Sequence, residues 1–124
     1  MKLLIVDDST MLRDMLSYAL SEGGYSDITE CFDGVDGLDK AKLTKYDLII
    51  SDINMPNMDG LTMIKEIRQL TEYKKTPILV LTTERSDEIK KKGKSAGATG
   101  WIVKPFVPDQ LLKAVNIVLS KNNS

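Results

Sequence analysis

Short runs of β-branched and aliphatic residues recur along the chain and predict strands. Clear runs lie at residues 2–6, 47–51, 77–81 and 100–103, and a weaker one covers 28–31. The runs are continuously apolar rather than alternating, which is typical of strands buried on both faces of a parallel sheet. We therefore expect five strands in a sheet that is covered on both sides.

The segments between these runs have apolar residues at helical spacing. The clearest stripes are Met11, Leu12, Met15, Leu16, Ala19 and Leu20 in the first segment, and Leu111, Leu112, Val115, Val118 and Leu119 in the last. Pro108 suits the first turn of the last helix, Ser86 suits the start of the helix before it, and Gly97 suits that helix's end. Strand and helix thus alternate along the chain.

This alternation predicts right-handed crossovers, and hence an α/β, doubly wound domain with a parallel sheet and helices on both faces. A chain of 124 residues suits one such domain and is too short for two. We expect a single domain over residues 1–120, followed by a loose tail at 121–124.

The composition excludes several classes of function. A formal net charge of −1 gives no electrostatic reason to expect nucleic acid or a membrane surface as a partner. The chain has no histidine, which removes a Ser-His-Asp triad, a histidine base and histidine-ligated metals. Carboxylate chemistry with hard cations remains.

Two features favour a reducing, cytoplasmic compartment. The single cysteine, Cys31, cannot form an internal disulfide, and its apolar surroundings predict a small buried side chain. Asp7 and Asp8 end the first apolar run too early for a signal peptide or a membrane span.

Polar side chains follow the predicted strands, at the edge where doubly wound sheets bind their ligands. They are Asp7, Asp8 and Ser9 after the first run, Asp52 and Asn54 after the second clear run, Thr82 and Thr83 after the next, and Lys104 after the last. Carboxylates gathered at one edge repel each other by roughly 3 kcal/mol per pair, at about 5 Å and an effective dielectric of about 20. An all-oxygen cluster of this kind suits Mg²⁺, with Lys104 supplying further positive charge.

A carboxylate between a metal ion and an ammonium group can attack a phosphoryl group, because both cations neutralise charge on its oxygens. Asp52 is the better nucleophile, since the adjacent acids Asp7 and Asp8 are suited to chelation. A hydroxyl such as that of Thr82 could then hydrogen-bond a phosphoryl oxygen. The predicted product is an aspartyl phosphate at Asp52.

Each of these stretches also has a simpler explanation when taken alone. The acids after the first strand suit a helix N-terminus, and residues 52–60 suit an Asn/Pro/Gly loop. Thr82 suits a turn, and Lys104 before Pro105 suits a solvated lysine. It is their joint occurrence at one sheet edge that favours the chemical interpretation.

Taken together, Asp7-Asp8-Ser9, the stretch from Asp52 to Gly60, Thr82, and Lys104-Pro105-Phe106 resemble the receiver domain of two-component response regulators, specifically stand-alone chemotaxis regulators of the CheY type. The resemblance covers the whole chain. It implies a flavodoxin-like domain with strand order 2-1-3-4-5, an order for which a chemotaxis receiver is itself the standard example.

The resemblance also implies roles for individual residues. Asp52 would be phosphorylated beside a Mg²⁺ held by Asp7, Asp8, Asp52 and the backbone carbonyl of Asn54, and Lys104 would bind the phosphoryl group.

Thr82 and an aromatic residue three positions before the lysine would form the switch. That aromatic is Trp101, whereas family members more often have Tyr, Phe or His there. Asn54 and Glu84 occupy positions that influence phosphoryl lifetime in the family, and this pair is similar to that of short-lived signalling members.

As partners, the resemblance implies a histidine kinase of the chemotaxis type, the flagellar motor switch and, for some members, a phosphatase; we expect the protein to be a monomer. A phosphate sink or a phosphorelay shuttle is the alternative output. Lysines at positions 90, 91, 92 and 94 form a basic helix face, which is either simply solvated or part of the partner surface.

A Mg²⁺-dependent phosphatase of the haloacid dehalogenase type is the main rival, because it also uses an aspartate nucleophile. It needs a second carboxylate two residues on, where this chain has Asn54. A flavodoxin-like cofactor binder is a weaker rival, since acids stand where phosphate-binding amides are needed.

Overall fold

The computed structural model describes residues 1–122, in which strands and helices alternate. The strands are β1 Lys2–Val6, β2 Asp27–Cys31, β3 Leu48–Ser51, β4 Ile78–Thr82 and β5 Gly100–Val103. The helices are α1 Thr10–Glu22, α2 Gly34–Leu43, α3 Gly60–Arg68, α4 Asp87–Ala96 and α5 Pro108–Asn122, with a short 3₁₀ helix at Thr71–Tyr73.

All strand pairs are parallel, and the strand order is β2-β1-β3-β4-β5. The predicted fold class and strand order are therefore confirmed. Each predicted apolar run coincides with a strand to within a residue at either end.

The sheet divides the core into two layers, which explains the continuous apolar runs. In β1, Leu4 and Val6 pack on the side of α2 and α3, while Leu3 and Ile5 pack on the side of α1 and α5. These four side chains are at most 1% exposed. Burying a side chain of this size contributes about 1.5–3 kcal/mol to the stability of the fold. Since each of these residues is buried on one face or the other, each of them stabilises the position of β1 inside the sheet.

The apolar stripe predicted on α1 is wider than the face that the helix buries. Leu16, Ala19 and Leu20 are buried, but Met11 and Met15 are 73% and 53% exposed. A helix that covers one face of a sheet needs only a narrow apolar stripe, and these two methionines lie beside it.

The predicted helix ends agree with the structure. The Ser86 side chain caps α4 by accepting from the Ile89 amide, and Gly97 ends the helix with a left-handed φ of 118°. At the end of the chain, Lys121 and Asn122 continue α5, so the predicted tail begins within the helix, and residues 123–124 lie outside the described part. None of the helices described has both the length and the apolar composition that crossing a membrane requires.

Candidate functional site

The register of the sheet brings the acids of two neighbouring strands together. Val6 at the end of β1 pairs with Ser51 at the end of β3, and the Asp52 amide donates to the Val6 carbonyl at 3.0 Å. Asp7 and Asp52 are therefore the next residues along two adjacent parallel strands. Their proximity follows directly from the fold.

Three carboxylates meet at this edge. One oxygen from each of Asp7, Asp8 and Asp52 lies within 4.8 Å of the other two. Asp7 is 2% exposed and Asp52 is 8% exposed, whereas Asp8 faces solvent. An all-oxygen cluster that opens to water on one side fits Mg²⁺, which keeps several of its own waters when bound by protein carboxylates.

Lys104 reaches the same cluster from the end of β5. Its Nζ lies 2.8 Å from an oxygen of Asp7 and 2.8 Å from an oxygen of Asp52. Burial acts to lower the pKa of Lys104, but the hydrogen bonds and charges of Asp52 and Asp7 outweigh it, so its pKa lies above the ordinary value. The ammonium is therefore a stable, permanent charge between two carboxylates.

Lys104 does not balance the negative charge of the cluster. Burial raises the pKa of Asp7, and the nearby charge of Asp52 raises it further, although Lys104 and the Ser9 amide lower it in part. Three carboxylates facing one ammonium retain an excess of negative charge. A divalent cation is the natural complement of such a cluster.

The loop that carries Asp52 depends on glycine at its end. The Gly60 amide donates to the Ile53 carbonyl at 2.8 Å, and a Cβ added at Gly60 would lie 2.0 Å from the Asp52 carbonyl oxygen. Any larger residue would push the start of α3 away from the backbone of Asp52. The Asp59 side chain caps the same helix by accepting from the Thr62 amide.

The middle of this loop is tied to the neighbouring β2–α2 turn. Asn57 has a left-handed φ of 66°, and its amide group donates to Asp33 at 2.5 Å. The Gly34 amide donates to the Met58 carbonyl at 3.0 Å. The loop is thereby held at its middle as well as at its Gly60 end.

Glu84 connects three of the remaining predicted residues. Its backbone amide donates to the Thr82 hydroxyl at 3.4 Å, and its carbonyl accepts from the Trp101 indole at 2.9 Å. Its carboxylate accepts from the Asn54 side chain at 3.3 Å. The β4–α4 loop is thus in contact with the Asp52 loop on one side and with β5 on the other.

Trp101 packs against α4 where that helix has no side chain. A Cβ on Gly93 would lie 2.4 Å from Cζ3 of the indole. The half-buried indole therefore occupies a space that exists only because residue 93 is glycine.

The structure brings Asp7, Asp8, Asp52 and Lys104 into one cluster, whereas the Thr82 hydroxyl is hydrogen-bonded to the Glu84 amide. Thr82 is fully buried, and within residues 1–122 no hydrogen bond joins it to Asp52. The Asn54 side chain is exposed at the edge of the cluster.

Arg13 also contacts this cluster, and it was not predicted from the sequence. Its guanidinium donates to the Asp7 carbonyl and to the Thr10 hydroxyl, and its Nε lies 3.2 Å from Glu30. Glu30 lies on β2, so nothing in the local spacing of α1 indicates this contact.

Comparison with known proteins identifies the family. Residues 3–116 match the family described as the response regulator receiver domain. Chemotaxis protein CheY1 of Helicobacter pylori is 37% identical over 124 residues, which cover 99% of this chain and 100% of that protein.

Solved structures of receiver proteins are also similar to this chain. The chemotaxis response regulator CheY4 of Vibrio cholerae is 50% identical with a TM-score of 0.89, over 94% of this chain and 97% of that one. The receiver domain of a sensor histidine kinase from Pseudomonas aeruginosa, described with a magnesium ion coordinated in its active site cleft, is 25% identical with a TM-score of 0.89, over 96% of this chain and 97% of that one.

The family match spans most of the chain, and the fold and the acidic cluster agree with it. The chain therefore belongs to the response regulator receiver domain family, and it is a signalling protein rather than an enzyme.

Proposed function

We propose that Asp52 accepts a phosphoryl group from a histidine kinase of the chemotaxis type. The observation that carries this proposal is the cluster in which Lys104 lies 2.8 Å from both Asp7 and Asp52, with Asp8 beside them. Mg²⁺ would be held by the three carboxylates and the backbone carbonyl of Asn54, and when bound it neutralises charge on the carboxylates and on the phosphoryl oxygens.

The residues of the chain then have distinct tasks in the transfer. A carboxylate oxygen of Asp52 attacks phosphorus, the P–N bond of the donor phosphohistidine breaks, and the imidazole leaves with the electron pair. The backbone N–H of Ile53 donates to Oδ1 of Asp52 at 2.6 Å and holds the carboxylate in position for attack. Lys104 moves its contact from Asp52 to the phosphoryl oxygens while Asp7 keeps it in place.

The switch that we propose passes through Thr82 and Glu84 to Trp101. The Thr82 hydroxyl now accepts from the Glu84 amide over 3.4 Å, a long and weak contact. A phosphoryl group on Asp52 offers the hydroxyl proton a charged acceptor, which draws Thr82 toward the site and breaks its weak contact with the Glu84 amide. Glu84 then moves with the carbonyl that holds the Trp101 indole, and α4 is repositioned against β5.

We propose the flagellar motor switch as the target. The support is the similarity to chemotaxis proteins along nearly the whole chain, together with a basic groove next to the switch residue. That groove is lined by Lys90, Lys94, Ala98, Thr99, Gly100 and Trp101. A coupling of about 1–3 kcal/mol between Asp52 and this groove would change partner affinity by roughly 5- to 150-fold.

The phosphorylation proposal is tested with a small acyl-phosphate donor and Mg²⁺, followed by phosphate-affinity gel electrophoresis. We expect a base-labile shifted band for the parent and none for Asp52→Asn. Asp59→Asn is the matched control, because it changes another aspartate of the same loop while asparagine still caps α3. An unshifted parent that is folded and binds Mg²⁺ would contradict the proposal and lead to phosphatase assays.

The target proposal is tested by calorimetry with purified motor switch protein, with and without beryllofluoride as the phosphoryl mimic. We expect binding only with the mimic, and a loss of binding in the double variant K90E/K94E. Lys113→Glu is the control, since Lys113 is exposed on a different face of the domain, on α5. Absence of binding in all states would favour the phosphate sink or shuttle.

A further inference from the structure

Of the two adjacent acids, Asp7 is held by its own side chain and Asp8 is not. The Asp7 carboxylate accepts from the Ser9 amide and from Lys104, each at 2.8 Å. Within residues 1–122 the Asp8 carboxylate has no hydrogen-bond or ion-pair partner, and it is exposed. The position of Asp8 therefore depends on the backbone that carries it.

Arg13 holds that backbone. Its Nη1 donates to the carbonyl of Asp7, which belongs to the peptide group joining Asp7 to Asp8. Because a peptide group is planar, a fixed carbonyl also fixes the nitrogen and Cα of the next residue. Together with the backbone hydrogen bonds of Asp7 and Ser9, the guanidinium thus fixes where the Asp8 side chain begins.

Arg13 is itself held in place from β2. Its Nε pairs with Glu30 at 3.2 Å, and the other Glu30 oxygen accepts from Ser17 one turn further along α1. The Arg13 side chain is only 15% exposed. The N–H donors of a guanidinium lie in one rigid plane. Because Nε is paired with Glu30, the Nη1 donor points at the Asp7 carbonyl rather than at the free Asp8 carboxylate.

We infer that Arg13 is a positioning residue for Mg²⁺ binding, with Glu30 orienting it and shielding its charge. The inference rests on the proposed Mg²⁺ site and deepens it. Arg13 does not touch the ion; it orders the exposed ligand Asp8 before binding, so the ion does not have to do so.

Two possible roles for Arg13 predict opposite changes in Mg²⁺ affinity when the side chain is removed. A positive charge near a cation site repels the cation, so if Arg13 acted only through its charge, its removal would strengthen Mg²⁺ binding. If Arg13 positions Asp8, its removal weakens binding, by about tenfold for the loss of an outer-shell partner.

The experiment measures Mg²⁺ affinity by isothermal titration calorimetry for the parent and for Arg13→Met, which keeps an apolar stem of similar length but has no donor. We expect about a tenfold weaker affinity. Arg13→Lys retains the charge but lacks the planar set of guanidinium donors, and it should also bind Mg²⁺ more weakly than the parent. Lys2→Met is the control, since it removes a similar charge from an exposed pair at the far end of β1 and should leave the affinity unchanged.

A second measurement separates positioning from general damage to the fold. The Asp52 phosphorylation rate with an acyl phosphate is followed against Mg²⁺ concentration. In Arg13→Met the half-saturating concentration should rise while the rate at saturating Mg²⁺ stays at the parent value. A lower rate at saturation, or an affinity equal to or above that of the parent, would overturn the inference. If the parent itself bound no Mg²⁺, the proposed metal site would fail as well.

Discussion

At the scale of single residues, Lys104 determines the charge balance of the acidic cluster. It is the cation that the described structure places against Asp7 and Asp52, whose side chains are 3% and 10% exposed. Breaking a buried ion pair by removing one partner leaves an uncompensated charge, which costs several kcal/mol. The residue that we propose binds the phosphoryl group is thus also one that stabilises the folded acidic cluster.

Replacing Lys104 by methionine should therefore destabilise the protein by about 3 kcal/mol at neutral pH in the absence of Mg²⁺. The difference should shrink as the pH falls through the raised pKa of Asp7, because a protonated carboxyl needs no ammonium partner. Urea unfolding at several pH values measures this. Lys92→Met, which breaks only an exposed pair with Glu88, should have almost no effect.

A second consequence at this scale concerns Cys31, which is 2% exposed, as the sequence predicted. Burial, assisted by the charge of Asp36, raises the pKa of its thiol from 9.0 to about 12. Between these values the unfolded chain releases the proton and the folded protein keeps it. Stability should therefore fall by up to about 1.4 kcal/mol per pH unit above pH 9.

The matching variant is Cys31→Ala, which has no thiol to titrate. Its free energy of unfolding should fall furthest below that of the parent near neutral pH, and this difference should shrink between pH 9 and 12. Chemical denaturation of both proteins across this range measures the difference. A difference that stays constant with pH would show that the thiol does not titrate as expected.

At the scale of elements, the strands were predictable and the helix faces were only partly so. A central strand such as β1 is buried on both sides, so its whole sequence is apolar and its bounds are clear. The exposed Met11 and Met15 of α1 look the same in sequence as the buried Leu16, because apolar spacing does not show how wide a stripe the sheet covers. Arg13 and Glu30 were missed because their contact joins two different elements.

The fit of Trp101 against α4 leads to a prediction for Gly93→Ala. Alanine favours a helix by about 1 kcal/mol over glycine, but its Cβ would lie 2.4 Å from the indole. We expect the variant to be less stable than the parent, with a more exposed indole and red-shifted emission.

A double-mutant cycle separates these two effects. In a Trp101→Val background the steric conflict is absent, so Gly93→Ala should stabilise the protein by about 1 kcal/mol. If Gly93→Ala stabilised the protein in both backgrounds, the indole and α4 would be able to adjust to the added methyl group at little cost in stability.

At the scale of the whole molecule, the parallel order of the strands assembles the acidic cluster from distant parts of the sequence. The acids at the ends of β1 and β3 were predictable as neighbours, because the carboxyl ends of parallel strands share one edge. The hydrogen bond between the Thr82 hydroxyl and the Glu84 amide was not, since spacing along the chain does not show which hydrogen bonds a hydroxyl makes.

Mg²⁺ binding to this cluster should stabilise the entire domain. A ligand at 100 times its dissociation constant adds about 2.7 kcal/mol to the free energy of unfolding, which corresponds to a rise in Tm of roughly 10 °C for a domain of this size. Thermal unfolding with and without Mg²⁺ measures it. Asp8→Asn should abolish the rise, and without metal it should unfold at or above the parent temperature, because it relieves repulsion at an exposed position.

Glu84 meets its neighbours through two chemically independent parts of the same residue. The side chain accepts a hydrogen bond from Asn54 at the edge of the acidic cluster, whereas the hydrogen bonds with Thr82 and Trp101 are made by the backbone. Every amino acid except proline supplies the same backbone amide and carbonyl. Substitutions at this position therefore change the contact with Asn54 and leave both backbone hydrogen bonds available. Under the proposed function, they would alter access to the phosphoryl group, and with it the duration of a signal, without changing the connection to Trp101.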